Sequence, residues 1–465
     1  MRLLLAFLLA LAVATPAAAR ETLQTPVTLP AGQRAEIDRI AAEVLAATSV
    51  PSASIAIVKN GAIAYAQAYG EARPGVRATP ETRYAIGSIS KQFTAAALLL
   101  LAEEGRLTLD ATLQPLVPGL TRGGEITVRQ ILSHTAGYRD YWPQDFVPGL
   151  MTRPINAQGI MTRWARIPLD YAPGAEYRYS NTGFTIAGVI AERLSGQSLH
   201  AFQQARLFAP LGMTGVTEID SGPLTGPLDS VGHARWGLGP VRPAVKEGPG
   251  WLWAIGELAM RPTDLALWNV NLMKGGPVLS AASKAAMTTS VTLTGGATAN
   301  YGLGLDVRAR DGKRVWSHGG AVSGYLADNR VFPDEDLAIT VLTNGEFGGA
   351  HEALAARLRF LLREQPPKVE AARTMLAAFQ AGRIDRTRLT PNGAAYYTDA
   401  AVRELARTLR PLGAARLVTL DADRLRGGLT VELYTVTFAA RRATIIARAD
   451  PATGRYEQFV VDFGA

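Results

Sequence analysis

Two side chains that could do chemistry together stand at the start of an apolar stretch of the sequence. Ser88 and Lys91 are three positions apart, and in a helix such residues share one face, with Cβ atoms about 5–6 Å apart. A serine hydroxyl needs a base to remove its proton, and a lysine amine can do this when its surroundings keep it neutral. Free backbone N–H groups at the helix start would face an oxyanion formed there. The spacing therefore predicts an activated serine nucleophile.

The residues after Lys91 indicate that this pair is buried. Positions 93–102 are apolar almost all round a helix, and Gly105 is a typical helix stop. An isolated Ser-x-x-Lys match usually marks a lysine on a solvated surface. In the first turn of a buried helix, an unpaired ammonium is instead costly. We therefore expect Lys91 to be half buried.

Two further stretches carry polar residues that suit a site. Tyr179 and Asn181 lie in a loop rich in glycine and proline, and His318, Gly319 and Gly320 follow a strand pattern. Taken alone, a tyrosine in such a loop is more often a packing residue, and paired glycines more often form a turn or bulge. Their order along the chain, after the serine and the lysine, makes them candidates.

In combination, these motifs resemble those of a known superfamily. The chain resembles the serine β-lactamases and penicillin-binding proteins, and most closely the class C β-lactamase-like branch of esterases, D-aminopeptidases and DD-peptidases. The resemblance covers about residues 35–363. It depends on three ordered motifs and four supporting phrases, namely Ser88-Ile89-Ser90-Lys91, Tyr179-Ser180-Asn181, His318-Gly319-Gly320, and residues 132–137, 210–213, 263–268 and 301–304.

The resemblance implies catalytic roles for four of these positions. It makes Ser88 the acylated nucleophile and Lys91 its proton acceptor. Tyr179 is implied as the base or proton shuttle that serves the leaving group and the incoming water. Asn181 is implied as a hydrogen-bond partner of Lys91 and of the substrate amide.

The resemblance also implies how the third motif binds substrate. The backbone N–H groups of Ser88 and Ala321 would form the oxyanion hole, next to His318, Gly319 and Gly320. Bare glycine backbone would let the substrate lie against the strand edge.

The third motif departs from the Lys-Thr-Gly of many β-lactamases, whose cation and hydroxyl help to hold a substrate carboxylate. His318 takes the place of the cation, and Gly319 offers no hydroxyl. An imidazole is mostly neutral at pH 7, so capture of a carboxylate is weakened. This favours esterase or D-amino-acid amidase chemistry over penicillinase or strict DD-carboxypeptidase activity. His134, in a supporting phrase, is expected to be a structural core imidazole with both nitrogens satisfied.

The order of the predicted elements indicates an α+β fold. A helix over residues 34–47 and a hairpin around Asn60 and Gly61 come first, and strands near 301–307, 314–317, 325–331 and 337–342 with a helix at 350–362 come last. We expect both ends to complete one antiparallel sheet flanked by helices, with the helical middle inserted as a second lobe. A site is expected in the cleft between sheet and lobe.

A composition break at Gln365-Pro366-Pro367 predicts a boundary between a hydrolase domain (20–365) and a small C-terminal α+β domain (366–465). Helices near 369–381 and 399–409 and strands near 416–420, 429–438, 443–447 and 456–461 are expected there. No pairing of a nucleophile with a base is apparent in it. Gating of the cleft and joining of protomers both stay open as its role.

The first residues predict export. Residues 1–19 have the positive start, apolar run and small-residue cleavage site of a signal peptide, so we expect cleavage near Ala19 and a periplasmic or secreted protein. No later stretch is long and apolar enough to span a bilayer. The chain has no cysteine, which excludes disulfides and thiolate chemistry.

Composition also restricts the partners. The formal charge is +8, but basic residues are dispersed, so we expect no nucleic-acid partner. The isolated positions of His200, His233 and His351 predict no metal site, and the chemistry needs no cofactor. The expected partner is a small-molecule or peptide substrate, and the oligomeric state stays open.

Taken together, the sequence predicts an exported serine hydrolase that forms an acyl-enzyme at Ser88 and hydrolyses an ester or amide, plausibly in D-amino-acid peptides. One alternative is a weak β-lactamase or DD-carboxypeptidase acting on cell-wall peptides. A non-enzymatic alternative is a penicillin-binding-like sensor or binding module. A Gly-x-Ser-x-Gly motif is absent, which counts against an α/β-hydrolase.

Overall fold

The structure is a computed structural model that describes residues 28–310, 312–363 and 366–464 of the 465-residue chain. The predicted signal peptide, residues 1–19, lies outside the described residues. Among the helices that the structure describes, none combines the length and the apolar character that crossing a bilayer requires.

The α-helices of the described residues are, in chain order, α1 (Ala31–Thr48), α2 (Lys91–Glu103), α3 (Leu113–Leu116), α4 (Val128–Leu132), α5 (Ala157–Ile160), α6 (Asn181–Ser195), α7 (Leu199–Gln203), α8 (Pro262–Lys274), α9 (Ala281–Met287), α10 (Ala350–Leu362), α11 (Pro367–Gln380), α12 (Pro391–Tyr396) and α13 (Asp399–Leu409). The strands are β1 (Ser52–Lys59), β2 (Ala62–Arg73), β3 (Val76–Arg77), β4 (Tyr84–Ala85), β5 (Thr217–Glu218), β6 (His233–Ala234), β7 (Arg242–Pro243), β8 (Leu258–Met260), β9 (Asp306–Arg310), β10 (Lys313–Val322), β11 (Tyr325–Phe332), β12 (Leu337–Thr343), β13 (Leu417–Arg426), β14 (Leu429–Thr437), β15 (Arg442–Ala449) and β16 (Tyr456–Asp462).

Both ends of the predicted hydrolase domain build one seven-stranded sheet, as expected from the sequence. Its strand order is β3-β2-β1-β12-β11-β10-β9, and its pairs are antiparallel. The predicted hairpin turn is present, because Asn60 and Gly61 both have positive φ, 52° and 76°. The α+β architecture predicted from the element order is confirmed.

The central strand β1 is buried on both faces, so its side chains divide between two cores. Ile55 and Ile57 pack with α1 and α10 on one face of the sheet. Ala56 and Val58 pack on the other face, toward the helical lobe. This alternation is the period-two pattern of a strand covered on both sides.

Helix α2 forms the centre of the helical lobe. Its residues from Lys91 to Leu101 are buried, and it packs against α6 and α7. Gly105, at φ 70°, follows its last turn, as the sequence predicted. Short strands are interleaved with the helices of this lobe, since β4, β8 and β5 form a small sheet of their own.

The strand predicted over residues 301–307 is wrong for residues 301–305. The observed strand β9 begins at Asp306. A Cβ on Gly302 would lie 2.1 Å from the Met287 carbonyl oxygen, and one on Gly304 would lie 2.8 Å from that of Lys91. The two glycines therefore allow an irregular segment to pass close to α2 and to the end of α9.

The last hundred residues contain a separate four-stranded antiparallel sheet, in the order β13-β14-β15-β16. Helices α11 and α13 cover one face of this sheet around a core of its own. Leu417 packs against the core formed by α1 and α10, and the Arg363 side chain donates to the Leu420 carbonyl at 3.0 Å. These contacts lie on the face of the main sheet opposite to α2.

Candidate active site

Ser88 and Lys91 meet at the junction of two helices, as their spacing predicted. Ser88 lies in a 3₁₀ turn, Gly87–Ser90, and Lys91 is the first residue of α2. The Lys91 Nζ lies 3.0 Å from the Ser88 Oγ and 2.8 Å from the carbonyl oxygen of Ile255. The amine is therefore within direct proton-transfer distance of the hydroxyl.

Burial controls the charge of this amine. The side chain of Lys91 is fully buried. Desolvation lowers its pKa to about 7, against the opposing charge of Asp140, which raises it. Because the pKa lies near neutral pH, a large fraction of the amine is unprotonated and can accept the serine proton. The expected burial of Lys91 is thus exceeded.

The Ile255 carbonyl is presented by a tightly built loop between β7 and β8. Its neighbour Ala254 has φ 62°, an uncommon conformation for a residue with a side chain, and the Ala254 carbonyl accepts a hydrogen bond from Thr94 at 2.8 Å. Two successive carbonyls therefore face the first turn of α2. The Ile255 carbonyl holds the Lys91 side chain beside Ser88, and the Ala254 carbonyl anchors the loop to Thr94.

Tyr179 lies against the lysine. Its ring centroid is 5.0 Å from the Lys91 Nζ and 4.1 Å from the His134 ring centroid. The buried Tyr179 hydroxyl has no hydrogen-bond partner of normal geometry. Burial raises the pKa of Tyr179 above its usual value, and the neighbouring Ser88 hydroxyl opposes that increase. Tyr179 is therefore a neutral phenol that could give a proton to a leaving group.

Asn181 makes hydrogen bonds that differ from the predicted ones. Its backbone N–H donates to the Asp140 Oδ1 at 2.9 Å, and its amide nitrogen donates to the Asp140 Oδ2 at 3.4 Å. The described hydrogen bonds of Lys91 go instead to Ser88 and Ile255. Asn181 thus lies at the site without the predicted hydrogen bond to the lysine, and its Oδ1, the atom that could accept from an amine, is buried without a partner.

Hydrogen bonds fix the proton on the His318 ring. Its Nδ1 lies 2.6 Å from the Gly319 carbonyl, which can only accept, so Nδ1 carries the proton. The Nε2 then accepts from the Tyr301 hydroxyl at 2.9 Å. Burial and the nearby Lys91 lower the pKa of His318 to about 4. The ring is therefore neutral, in the direction expected from the sequence.

His134 belongs to the packing of the site. Its Nδ1 accepts the backbone N–H of Ser180 at 3.1 Å, and burial holds the pKa of the ring well below its usual value. The expectation that both nitrogens are satisfied is wrong, because the buried Nε2 has no partner. The ring stacks between Tyr179, Phe184 and Tyr301 and so fixes the position of the site tyrosine.

Strand β10 passes directly over the serine turn. A Cβ on Gly320 would lie 1.9 Å from the Ile86 carbonyl oxygen, and one on Gly87 would lie 2.6 Å from the backbone nitrogen of Ala321. In the β10–β11 pairing, Ala321 lies opposite Leu326, one residue pair before the hairpin turn. Hydrogen-bonded and non-hydrogen-bonded pairs alternate along antiparallel strands, so the Ala321 N–H points away from β11. This brings the Ala321 and Ser88 backbones together, as the predicted oxyanion hole requires.

The sequence did not identify Asp140 or Ile255 as site residues. Asp140 follows the supporting phrase at residues 132–137, and this position in a loop after a motif was its only signal. Ile255 acts through its backbone carbonyl, which no residue type reveals. Among the described residues, no group of three or more His, Asp or Glu side chains is arranged to hold a metal ion.

Comparison with known proteins identifies a family and a curated relative. The beta-lactamase family profile matches residues 37–364. A D-aminopeptidase of Brucella canis is 30% identical over 324 residues, which are 68% of this chain and 61% of that protein. The chain therefore spans about 61% of the length of this curated relative.

Solved structures resemble the chain over two different extents. A D-stereospecific amidohydrolase from Streptomyces sp. is 27% identical, with a TM-score of 0.60, over 69% of this chain and 97% of that one. An octameric penicillin-binding protein homologue from Pyrococcus abyssi shares the fold, at 22% identity and a TM-score of 0.60, over 91% of this chain and 94% of that one.

An antiparallel sheet, an inserted helical lobe and a serine–lysine pair at the start of a buried helix define a class of serine hydrolases. With a family match that extends over residues 37–364, the chain belongs to the beta-lactamase family.

Proposed function

We propose that the protein is an exported serine hydrolase that cleaves amide or ester bonds next to a D-amino acid with a free amino group. The observation that carries the proposal is the fully buried Lys91, 3.0 Å from the Ser88 hydroxyl and with a pKa lowered to about 7. A D-aminopeptidase and a D-stereospecific amidohydrolase among the similar proteins support the substrate class. Export is inferred from the signal-peptide pattern of residues 1–19.

In the first half-reaction, neutral Lys91 takes the Ser88 proton as the Ser88 Oγ bonds to the substrate carbonyl carbon. The N–H groups of Ser88 and Ala321 stabilise the resulting oxyanion, and removal of one such donor typically costs about 3 kcal/mol. The C–N or C–O bond then breaks, and Tyr179 passes a proton to the leaving group. The proton held by Lys91 returns to Tyr179.

In the second half-reaction, a water molecule gives a proton to the same base system and attacks the acyl carbon. The bond to the Ser88 Oγ breaks, the serine recovers its proton, and the D-amino acid leaves. Over the whole cycle one proton goes to the leaving group and serine regains one from water, so the protons balance.

The neutral His318 supports this substrate class over substrates with a terminal carboxylate. Its ring nitrogens are engaged with Gly319 and Tyr301, and its pKa is lowered to about 4. At neutral pH it supplies no positive charge to a carboxylate, which β-lactams and D-Ala-D-Ala peptides both carry.

The test compares the mature protein with its Ser88→Ala and Ser90→Ala variants. The probes are D-alanyl and L-alanyl p-nitroanilide, a short-chain ester, a D-Ala-D-Ala peptide and a chromogenic cephalosporin. We expect the D-alanyl anilide and the ester to be hydrolysed, with a covalent adduct on Ser88 detected by mass spectrometry. Ser90 is a matched control, because its hydroxyl instead accepts the Leu258 N–H at 3.2 Å. Adducts or turnover that survive Ser88→Ala would disprove the mechanism.

A further inference from the structure

Asp140 and Asn181, which lies two residues after Tyr179, form a polar pair that the acyl-transfer steps leave unused. The Asp140 Oδ1 accepts the N–H groups of Asn181 and Trp142, at 2.9 and 3.3 Å. Its Oδ2 receives only the long 3.4 Å bond from the Asn181 amide nitrogen. Because a carboxylate accepts and does not donate, this bond fixes which end of the amide is the nitrogen.

The other end of the same amide is unsatisfied. Asn181 is 6% exposed, and its Oδ1 is buried without a hydrogen-bond partner. A buried acceptor without a donor is energetically unfavourable. The pair therefore offers an anionic oxygen and a neutral oxygen that both lack a strong donor. A ligand group that supplies several N–H donors and a positive charge would satisfy both.

A primary ammonium has this chemistry. It carries three donors and no acceptor, so it can bond to a carboxylate and an amide oxygen at once. A substrate carbonyl or carboxylate offers only acceptors and would be repelled by Asp140. The D-amino-acid substrates of the proposed function carry such an ammonium one carbon from the scissile carbonyl.

On the basis of that proposed function, we propose that Asp140 and the Asn181 Oδ1 bind the α-ammonium of the substrate, and that this binding converts Lys91 to its neutral, basic form. The proposal thus assigns Asp140 two linked effects, recognition of the substrate amine and control of the catalytic base.

The histidines and the tyrosine around Lys91 are neutral, so Asp140 is the charged group that favours the protonated amine. His134 and His318 are neutral, because their pKa values are lowered by burial. Tyr179 is neutral, because burial raises its pKa. The Asp140 carboxylate acts on the lysine through space and raises the Lys91 pKa against the effect of desolvation.

Two more carboxyl groups lie near this environment. Glu257 follows the loop that presents the Ile255 carbonyl, and burial and the nearby Asp220 hold its pKa well above its usual value, which disfavours its anionic form. Asp306 has a raised pKa, chiefly from burial, and acts on Tyr179. The described contacts give neither group a hydrogen bond to the Lys91 amine, whose partners are Ser88 and Ile255.

The direction of the coupling follows from the charges. While Asp140 is unpaired, it favours a protonated Lys91. When a substrate ammonium neutralises Asp140, that stabilisation is lost, and the ammonium also repels a second cation nearby. The Lys91 pKa then falls, and the neutral base is present at lower pH. The ammonium stays with the acyl group, so the effect lasts through deacylation.

The experiment compares two pH profiles. The profile of kcat/KM reports the free enzyme, and that of kcat reports the substrate-bound or acylated enzyme. For D-alanyl p-nitroanilide we expect the acidic midpoint of kcat to lie about one pH unit below that of kcat/KM, as a nearby charge typically causes. For p-nitrophenyl propionate, which has no amine, the two midpoints should coincide. The substrate amine has a pKa of about 8, so the kcat/KM profile for the D-alanyl substrate is fitted with this alkaline ionisation as well as the acidic one.

Variants distinguish a loss of the effect of Asp140 on Lys91 from a general loss of structure. In Asp140→Asn, the kcat/KM midpoint should fall by about one pH unit, the difference between the profiles should vanish, and KM for the D-alanyl substrate should rise at least tenfold. Asp140→Glu keeps the charge and should keep the difference. Asp170→Asn is the matched control, because Asp170 is a nearby carboxylate paired with Arg139 at 2.8 Å. Melting temperatures establish that each variant is folded.

Two outcomes would overturn the proposal. Coincident midpoints for the D-alanyl substrate in the wild-type enzyme would overturn the control of Lys91. A wild-type KM and an unchanged profile difference in Asp140→Asn would overturn the ammonium site. Failure of the proposed function itself would be recognised separately, as turnover that persists in Ser88→Ala.

Discussion

The Tyr301 hydroxyl donates a hydrogen bond to the His318 Nε2 at 2.9 Å, and this bond determines the charge of the third motif. The opposite nitrogen is already committed to the Gly319 carbonyl. A second proton on the ring would have to displace the tyrosine donor in a buried site. His318, which takes the place of the lysine in the Lys-Thr-Gly motif of many β-lactamases, is thus a neutral group held by a tyrosine and a backbone carbonyl.

The neutrality of His318 predicts a pH dependence of stability. The pKa of His318 is lowered from 6.5 to about 4, so the unfolded chain binds the additional proton first as pH falls. The stabilisation is therefore complete above pH 6.5 and is lost progressively toward pH 4, by about 3 kcal/mol in total. Urea unfolding at several pH values should show this slope, and His318→Gln should reduce it. If the free energy of unfolding depends on pH equally in the two proteins, the prediction is contradicted. The slope that remains in His318→Gln includes the contribution of His134.

Lys91 predicts a rate that rises through neutral pH. Its pKa of about 7 places the acidic limb of kcat/KM for uncharged esters near that pH. In Lys91→Arg the guanidinium stays protonated, so we expect kcat/KM to fall about 10³-fold and the limb to disappear. Lys274→Arg is the control, because Lys274 is an exposed lysine paired with Asp336. An unchanged limb in Lys91→Arg would assign the base to another group.

Local spacing was sufficient to predict the parts of the site that lie close in sequence. Ser88 and Lys91 share one helix face, and the apolar residues after them indicated burial. The Asn60-Gly61 pair likewise predicted a hairpin turn, and both residues have positive φ. In each case the interactions that decide the local structure join residues only a few positions apart, so the sequence pattern is enough to predict them.

The unpredicted parts depend on contacts between distant segments. Ile255 reaches Lys91 with its backbone, 164 positions away, and Asp140 takes the amide of Asn181 from 41 positions away. The glycines at 302 and 304 looked like parts of a strand, because the close passage of α2 and the end of α9 cannot be seen in a local pattern. Tertiary packing decided these features.

Adjacent glycines in the third motif predict unequal effects of the same substitution. A Cβ on Gly320 would lie 1.9 Å from the Ile86 carbonyl oxygen, whereas one on Gly319 would have its nearest neighbour, the Ala327 carbonyl oxygen, at 3.9 Å. Gly320→Ala should therefore push β10 away from the serine turn, lower the melting temperature, and reduce kcat at least tenfold through the oxyanion hole. Gly319→Ala should leave the melting temperature within about 1 °C of wild type. Equal melting temperatures for the two variants would refute the close approach.

The docking position of the C-terminal sheet predicts that it does not gate the cleft of its own chain. Leu417 packs against the core of α1 and α10, across the main sheet from Ser88. Leu417→Asp should cost about 1–2 kcal/mol of apolar burial and lower the melting temperature by about 3 °C. Its kcat/KM should stay within about twofold of wild type, because the serine–lysine pair lies in the other core. Leu425→Asp is the control, since Leu425 is 70% exposed on the same C-terminal sheet. A large change in KM for Leu417→Asp alone would instead establish coupling between the C-terminal sheet and the site, and light scattering on the same samples would show whether that coupling passes through a second protomer.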